Sequence, residues 1–240
     1  MAEQKGSEQL PNESPAIIIK LPGVNLKLTG RWTVLAIATL LLVFILIVYL
    51  VSLKTEPKLW ASGALWILFI GYWGAAASNA APTKTSESVS SRQLHQLLMY
   101  GALALAFFRL PGLGHRWLPM AFYIIPLGLA IHISSILLAV WARRYLGRNW
   151  SGEITAKVDH RLIRTGPYRI VRHPIYSAML GMFLGTAIVS GELHGLLAVV
   201  IIAAAYWRKI RLEEQHLRSV FGAEYDDYRR KSWALIPGLL

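Results

Sequence analysis

Hydrophobic residues dominate this chain in long blocks. Residues 32–53, 59–83 and 117–141 contain no Asp, Glu, Lys or Arg, and each block supplies the roughly 20 apolar residues that cross a bilayer. The pattern predicts a first span over 32–53 and a second over 59–77. A Ser- and Thr-rich loop over 78–92 follows, then a third span over 94–110 ended by Pro111-Gly112-Leu113-Gly114. A fourth span over 117–140 carries Pro126, a candidate kink. Two shorter apolar helices, over 175–189 and 193–207, meet at Ser190-Gly191-Glu192. Each would rise roughly 22 Å, less than a core of about 30 Å, so they form either a thin pair of spans or a re-entrant hairpin. Gly181 and Gly185 make a Gly-x-x-x-Gly pair that lets a second helix approach closely. From Arg208 onward, Leu217, Phe221, Tyr225 and Tyr228 share one helical face, and Ile236-Pro237-Gly238 ends the run. The expected fold is all-α: a polytopic membrane protein of about six transmembrane helices with an amphipathic C-terminal helix.

Polarity divides the chain into a mobile tail (1–31), the first three membrane helices (32–116) and a C-terminal part (117–240). Within the tail, Ala16-Ile17-Ile18-Ile19 is apolar enough to rest on a membrane surface. A cleaved signal peptide is not expected, because the apolar run starts late and exceeds the usual 7–15 residues.

Composition narrows the class further. Of 240 residues, 55% are hydrophobic and 16% charged, against about 25% charged in soluble domains. Disorder is excluded by the apolar content. With Cys at 0, a disulfide scaffold and a cysteine zinc site are excluded as well. The net charge of +12 could serve nucleic acid, but basic loops that orient a multi-span protein explain it better. Six crossings with both ends inside place 21 of the 25 Lys and Arg on the cytoplasmic side and leave Lys54, Lys58, Arg109 and Arg116 outside. That asymmetry puts residues 141–174 and 208–240 at the cytoplasmic face.

Unusual residues concentrate in those two segments: Arg164-Thr165-Gly166-Pro167-Tyr168, then Arg172-His173-Pro174-Ile175-Tyr176, and later Arg208-Lys209 and Glu213-Glu214. Pro174 can open a helix whose first-turn N–H groups and dipole favour an anion, with Arg172 and His173 beside it. Basic residues also flank most membrane helices on this side, which is the plain alternative for Arg172. Glu213 and Glu214 either pair with Lys209, Arg211 or Arg218 on their own helix or receive a ligand's ammonium or sulfonium group. Tyr168 and Tyr176 offer aromatic faces to a cation or anchor their helices among headgroups. His132, inside the fourth span, is expected to hydrogen-bond a neighbouring helix. No His-Glu-x-x-His, P-loop or dinucleotide fingerprint occurs, and no metal site is expected.

Read in order, Trp141 to Ser151, His160 to Ile163, Gly166-Pro167-Tyr168, Arg172 to Tyr176, Glu213-Glu214, Phe221-Gly222-x-x-Tyr225 and Ile236-Pro237 resemble the isoprenylcysteine carboxyl methyltransferase family of integral membrane methyltransferases. The resemblance covers about 100 of 240 residues and leaves 1–118 without a counterpart. It implies a catalytic core over 117–240 that binds S-adenosyl-L-methionine at the cytoplasmic face. His160, Arg161, Leu162, Ile163, Tyr168, His173, Pro174, Ile175, Tyr176, Glu213 and Glu214 would contact this cofactor, and Arg172, Lys209 and Arg208 would serve catalysis. A basic residue one turn before the Glu pair would face the acceptor carboxylate; Lys209 stands there, where a two-pronged Arg would be the better fit. The implied partners are the lipid bilayer and a lipophilic or prenylated acceptor, without nucleic acid, in a prokaryotic cytoplasmic membrane. Rival readings are transfer to a phospholipid amine or small thiol, a sterol-reductase relative, or a non-catalytic transporter or scaffold.

Overall fold

The computed structural model describes residues 17–21, 24–28, 39, 58–77, 87–147, 150 and 162–239. The chain divides into two compact units at Thr55. In the first, β1 (Ile17–Leu21) pairs antiparallel with β2 (Val24–Leu28), Ile19 opposite Leu26. The stretch read as part of a mobile tail thus contains a hairpin, its strands separated in sequence by Pro22-Gly23, a turn dipeptide. The span expected over 32–53 lies outside the described residues, except for Thr39, which is helical.

The second unit is helical. Its elements are α1 (Lys58–Ala77), α2 (Val89–Phe107), α3 (Ile124–Leu146), a short 3₁₀ turn (Gly166–Arg169), α4 (Pro174–Ser190), α5 (Leu193–Phe221) and α6 (Ala223–Arg230). Among the described residues, α1, α3 and α5 are long and apolar enough to cross a membrane, and α4 is apolar but shorter. The expected polytopic α-fold is therefore present.

Four local expectations change. Helix α2 starts earlier than residue 94, because Ser88 caps it by accepting from the Ser91 N–H. Its first turns carry Arg92, Gln93 and His95, which removes it from the set of wholly apolar spans. Pro126 does not kink α3: the helix begins only at Ile124, and a first-turn proline has no intrahelical N–H bond to lose. The two pieces expected on either side of residue 207 are one helix, α5, of 29 residues, about 43 Å long. The change from apolar to charged at Arg208 marks a change of surroundings without a break in the backbone. The break comes at Gly222, whose φ of +52° suits glycine, so Tyr225 and Tyr228 belong to the separate helix α6.

The core forms where α3 meets α4 almost backbone to backbone. A Cβ on Gly185 would stand 2.7 Å from the Gly128 carbonyl and 2.8 Å from the His132 nitrogen; on Gly181 it would strike Ser135 Oγ. The Gly-x-x-x-Gly pair therefore faces α3. Helix α1 closes over this contact: Trp66 Nε1 donates to Thr186 Oγ1 at 3.0 Å, and its ring meets Phe183 and His132 edge-on. His132 is fully buried, and among the described residues neither ring nitrogen has a hydrogen-bond partner. Its expected bond to a neighbouring helix is replaced by this aromatic contact.

The four basic residues assigned to the outside include three that converge at the turn between α4 and α5. Glu192, 3% exposed, accepts two bonds from Arg109, lies 3.3 Å from His194 Nε2 and 4.0 Å from Lys58 Nζ. Lys58 and Arg116 also donate to the Ser190 carbonyl at 3.0 and 3.3 Å. Removing one partner of a buried ion pair leaves the others uncompensated. Glu192→Gln is expected to lower unfolding stability by about 3 kcal/mol, read as a fall in the thermal midpoint of the detergent-solubilised protein; an unchanged midpoint would show that the cluster holds nothing together.

Candidate active site

Helix α4 begins at the end of α5's apolar stretch, and the two charged sequences meet there. Pro174 opens α4 with His173 as its N-cap. Arg172 Nε donates to Glu214 Oε1 at 2.8 Å, and His173 Nε2 lies 3.3 Å from the same oxygen. The other oxygen of Glu214 is 3.3 Å from Arg229 Nε of α6. Tyr176, one turn into α4, donates its hydroxyl to Glu213 Oε2 at 2.8 Å, and His173 Nδ1 lies 3.7 Å from that atom. Two acids of α5 thus stand over the first turn of α4, where the helix dipole favours negative charge. The anion expected at this helix end comes from the chain itself. Glu213 and Glu214, expected to pair on their own helix or to receive a ligand, are met here by Tyr176, His173, Arg172 and Arg229.

Backbone from the C-terminus completes the support. The Arg172 N–H donates to the Trp233 carbonyl at 2.8 Å, the His173 N–H to Ala234 at 3.1 Å, and the Trp233 N–H to Ile170 at 3.0 Å. The Arg172 guanidinium also donates to the Arg229 and Ser232 carbonyls. With its side chain 8% exposed, Arg172 bridges α4, α5 and the C-terminal strand-like segment rather than facing open space. Ser177 Oγ bonds the Leu235 carbonyl at 2.6 Å, just before the Ile236-Pro237 pair.

Aromatic rings form a ladder beside the acids. His173 stacks on Tyr176 (5.4 Å, 6°), Tyr176 on Tyr206 (4.8 Å, 21°), and His95 of α2 leans on Tyr206 at 5.4 Å. Tyr168 is buried in the 3₁₀ turn, and its carbonyl accepts from Tyr228 Oη at 2.6 Å. Burial, followed by the charge of Glu213, pushes the Tyr168 phenol far up, so it stays a protonated donor at pH 7. Leu162, Ile163 and Ile175 are half-buried nearby in sequence. His160 and Arg161 lie outside the described residues.

Lys209 and Arg208 sit one turn before Glu213 and turn toward α2. Arg208 donates to Ser91 Oγ at 2.8 Å, Ser91 donates to Glu87 Oε1, and Lys209 Nζ is 4.0 Å from Glu87 Oε2. Glu87, Ser91, His95 and Tyr206 were not singled out from sequence. One available signal was that Glu87 is the sole acid between Glu56 and Glu153.

The donor set fits a cationic sulfonium cofactor such as S-adenosyl-L-methionine. Glu213 is 32% exposed, so part of a carboxylate held by Tyr176 remains reachable, next to stacked aromatic faces that favour a sulfonium or ammonium group.

Residues 123–224 match the family model described as phospholipid methyltransferase. A probable protein-S-isoprenylcysteine O-methyltransferase of Oryza sativa subsp. indica is 30% identical over 199 residues, 77% of this chain and 98% of that protein. Protein-S-isoprenylcysteine O-methyltransferase B of Arabidopsis thaliana is 29% identical over 72% of this chain and 85% of its own length. Among solved structures, the eukaryotic intramembrane Ras methyltransferase ICMT superposes with a TM-score of 0.53 at 21% identity, covering 85% of this chain and 74% of that one. This last likeness concerns the fold.

The bridging position of Arg172 carries a test. Arg172→Ala removes the bonds to Glu214, Arg229 and Ser232, and the C-terminal segment keeps Ser177 Oγ on the Leu235 carbonyl but loses its guanidinium anchor. The substitution alters the intrinsic exchange rate of residue 172 itself, so the readout is His173 and Trp233, whose exchange is expected to accelerate about tenfold, the equivalent of ~1.4 kcal/mol of local stability. Unchanged exchange would leave the backbone pairing alone responsible for docking.

Proposed function

Because this chain belongs to the protein-S-isoprenylcysteine O-methyltransferase family, we propose that it transfers a methyl group from S-adenosyl-L-methionine to the carboxylate of a lipophilic, isoprenylcysteine-like acceptor. The observation that carries this reading is the convergence of Glu213, Glu214, His173 and Tyr176 one helical turn from Arg208 and Lys209. An acidic, aromatic site for the donor and a basic site for the acceptor then lie about 6 Å apart along α5.

When bound, the cofactor supplies an electrophilic methyl group on a sulfonium centre. Glu213 would hold the cationic end of the donor, with Tyr176 fixing the carboxylate and its ring stacked on Tyr206. His173 and Arg172 would keep Glu214 ionised and in place. Arg208 and Lys209 would orient the acceptor carboxylate. That carboxylate is already ionised at pH 7, so no general base is required of the chain. Its reactivity would rise as the apolar helices exclude water, and the gain from alignment would come from holding two reactants on one rigid helix. Strong pairing would hold the nucleophile back, so the basic residues must orient it without binding it too tightly. An amine acceptor, suggested by the description of the family model, must first lose a proton, and a pair of cations suits an anion better. The excess of basic residues in 141–174 and 208–240 supports a site facing the cytoplasm, where a water-soluble donor enters while the acceptor arrives through the bilayer.

Three variants test the division of labour. Glu213→Gln and His173→Ala are expected to weaken binding of S-adenosylhomocysteine by about tenfold or more, the loss of one charge-assisted contact, while the protein still inserts. Lys209→Ala is expected to spare that binding and slow transfer to an S-prenylated N-acetylcysteine. Isothermal titration and a labelled-methyl assay measure the two. Unchanged affinity in both of the first variants removes the donor assignment; equal loss of binding and transfer in the third removes the acceptor assignment.

A further inference from the structure

Glu87 stands between the end of a polar loop and the first turn of α2, yet its side chain is 5% exposed. One oxygen accepts from Ser91; the other, Oε2, has no hydrogen-bond donor among the described residues and lies 4.0 Å from Lys209 Nζ. Ser91 in turn accepts from Arg208 at 2.8 Å. A chain of contacts therefore joins both basic residues of the acceptor side to one buried carboxylate: Arg208 to Ser91, Ser91 to Glu87, Glu87 to Lys209. Ser91 and His95, four residues apart, share one face of α2, and Glu87 stands just before its N-cap Ser88. His95 continues that face to Tyr206 and the ring ladder.

From this geometry we propose that Glu87 is a specificity-determining residue of the acceptor site, a built-in counter-charge that limits how strongly Arg208 and Lys209 hold an incoming carboxylate. The inference rests on the acceptor reading given above. Two adjacent cations withdrawn from water bind a carboxylate far more strongly than they would at an exposed surface, and a nucleophile so bound is a poorer one, because the pairing is lost as its charge is used up. An acid already seated against the pair weakens that grip and leaves the site selective for an anion. Ser91 transmits the same carboxylate to Arg208 and fixes where its guanidinium points.

The test compares an S-prenylated N-acetylcysteine with its neutral carboxamide, the first as substrate and both as ligands, in wild type, Glu87→Gln and Glu87→Asp. Glutamine keeps the oxygen that accepts from Ser91 and removes the charge. In Glu87→Gln the ratio of carboxylate to carboxamide affinity is expected to rise about tenfold, the equivalent of ~1.4 kcal/mol. KM for the carboxylate falls and kcat falls with it, while S-adenosylhomocysteine affinity stays unchanged. Glu87→Asp, which keeps the charge, is expected to return the ratio toward wild type and carries the test if the glutamine variant does not fold. A purely structural Glu87 would weaken both ligands alike and leave the ratio unmoved, which overturns the proposal while a discriminating wild type leaves the acceptor reading intact. A wild type that binds carboxylate and carboxamide equally overturns the acceptor reading itself, and the role of Glu87 with it.

Discussion

The structure depends on how a mostly apolar chain places the few charges it buries. Along α5, two cations and two acids occupy positions 208, 209, 213 and 214, just past the apolar stretch. None of the four can be left unpaired at the edge of a low-dielectric region. The acids are met by Arg172, His173, Tyr176 and Arg229, and the cations by the start of α2. Satisfying these groups pulls α2, α4 and α6 onto one end of α5. The same ion pairs that assemble this end of the protein also shape its chemistry, because what remains reachable of Glu213 and of the basic pair is set by which partners they already have.

The opposite end of the bundle follows the same rule with different residues. Glu192 is the sole acid between Asp159 and Glu213, and Arg109, His194 and Lys58 gather on it. In a chain with 25 basic and 13 acidic residues, an isolated acid finds several cations within reach. Glu87 and Glu192 are both such acids, and both are buried. Between the two charged ends the core is mainly apolar and aromatic, with the Trp66–Thr186 hydrogen bond among its contacts, and α3 and α4 approach closely at Gly128 and Gly185.

The sequence was legible where local chemistry decides the outcome. Pro174 marks a helix start by its missing N–H, whereas the grouping of Arg172, His173 and Tyr176 with the glutamates rested on the family resemblance, and their direct contacts were not expected. Polarity misled where it was taken for backbone continuity. Arg208 reads as a helix leaving the membrane, yet the backbone bonds of α5 continue unaltered to Phe221. Pro126 reads as a kink only when the helix is assumed to have begun at 117. The docking of Trp233–Leu235 on residues 170–173 runs through backbone groups, which leave no side-chain signature. Glu87 and Ser91 lie more than a hundred residues from their partners on α5, within a polar loop whose Ser and Thr gave no reason to choose one residue over another.

The knot at Ser190, Gly191 and Glu192 has a mechanical consequence. Three cations from two other parts of the chain hold the bend between α4 and α5 at one end, while at the other end the same two helices are joined through Arg172–Glu214 and Tyr176–Glu213. Axial sliding of one helix past the other would break the distal bonds together. Angular opening strains only the proximal ones. The bend is in this sense a fulcrum for the two arms.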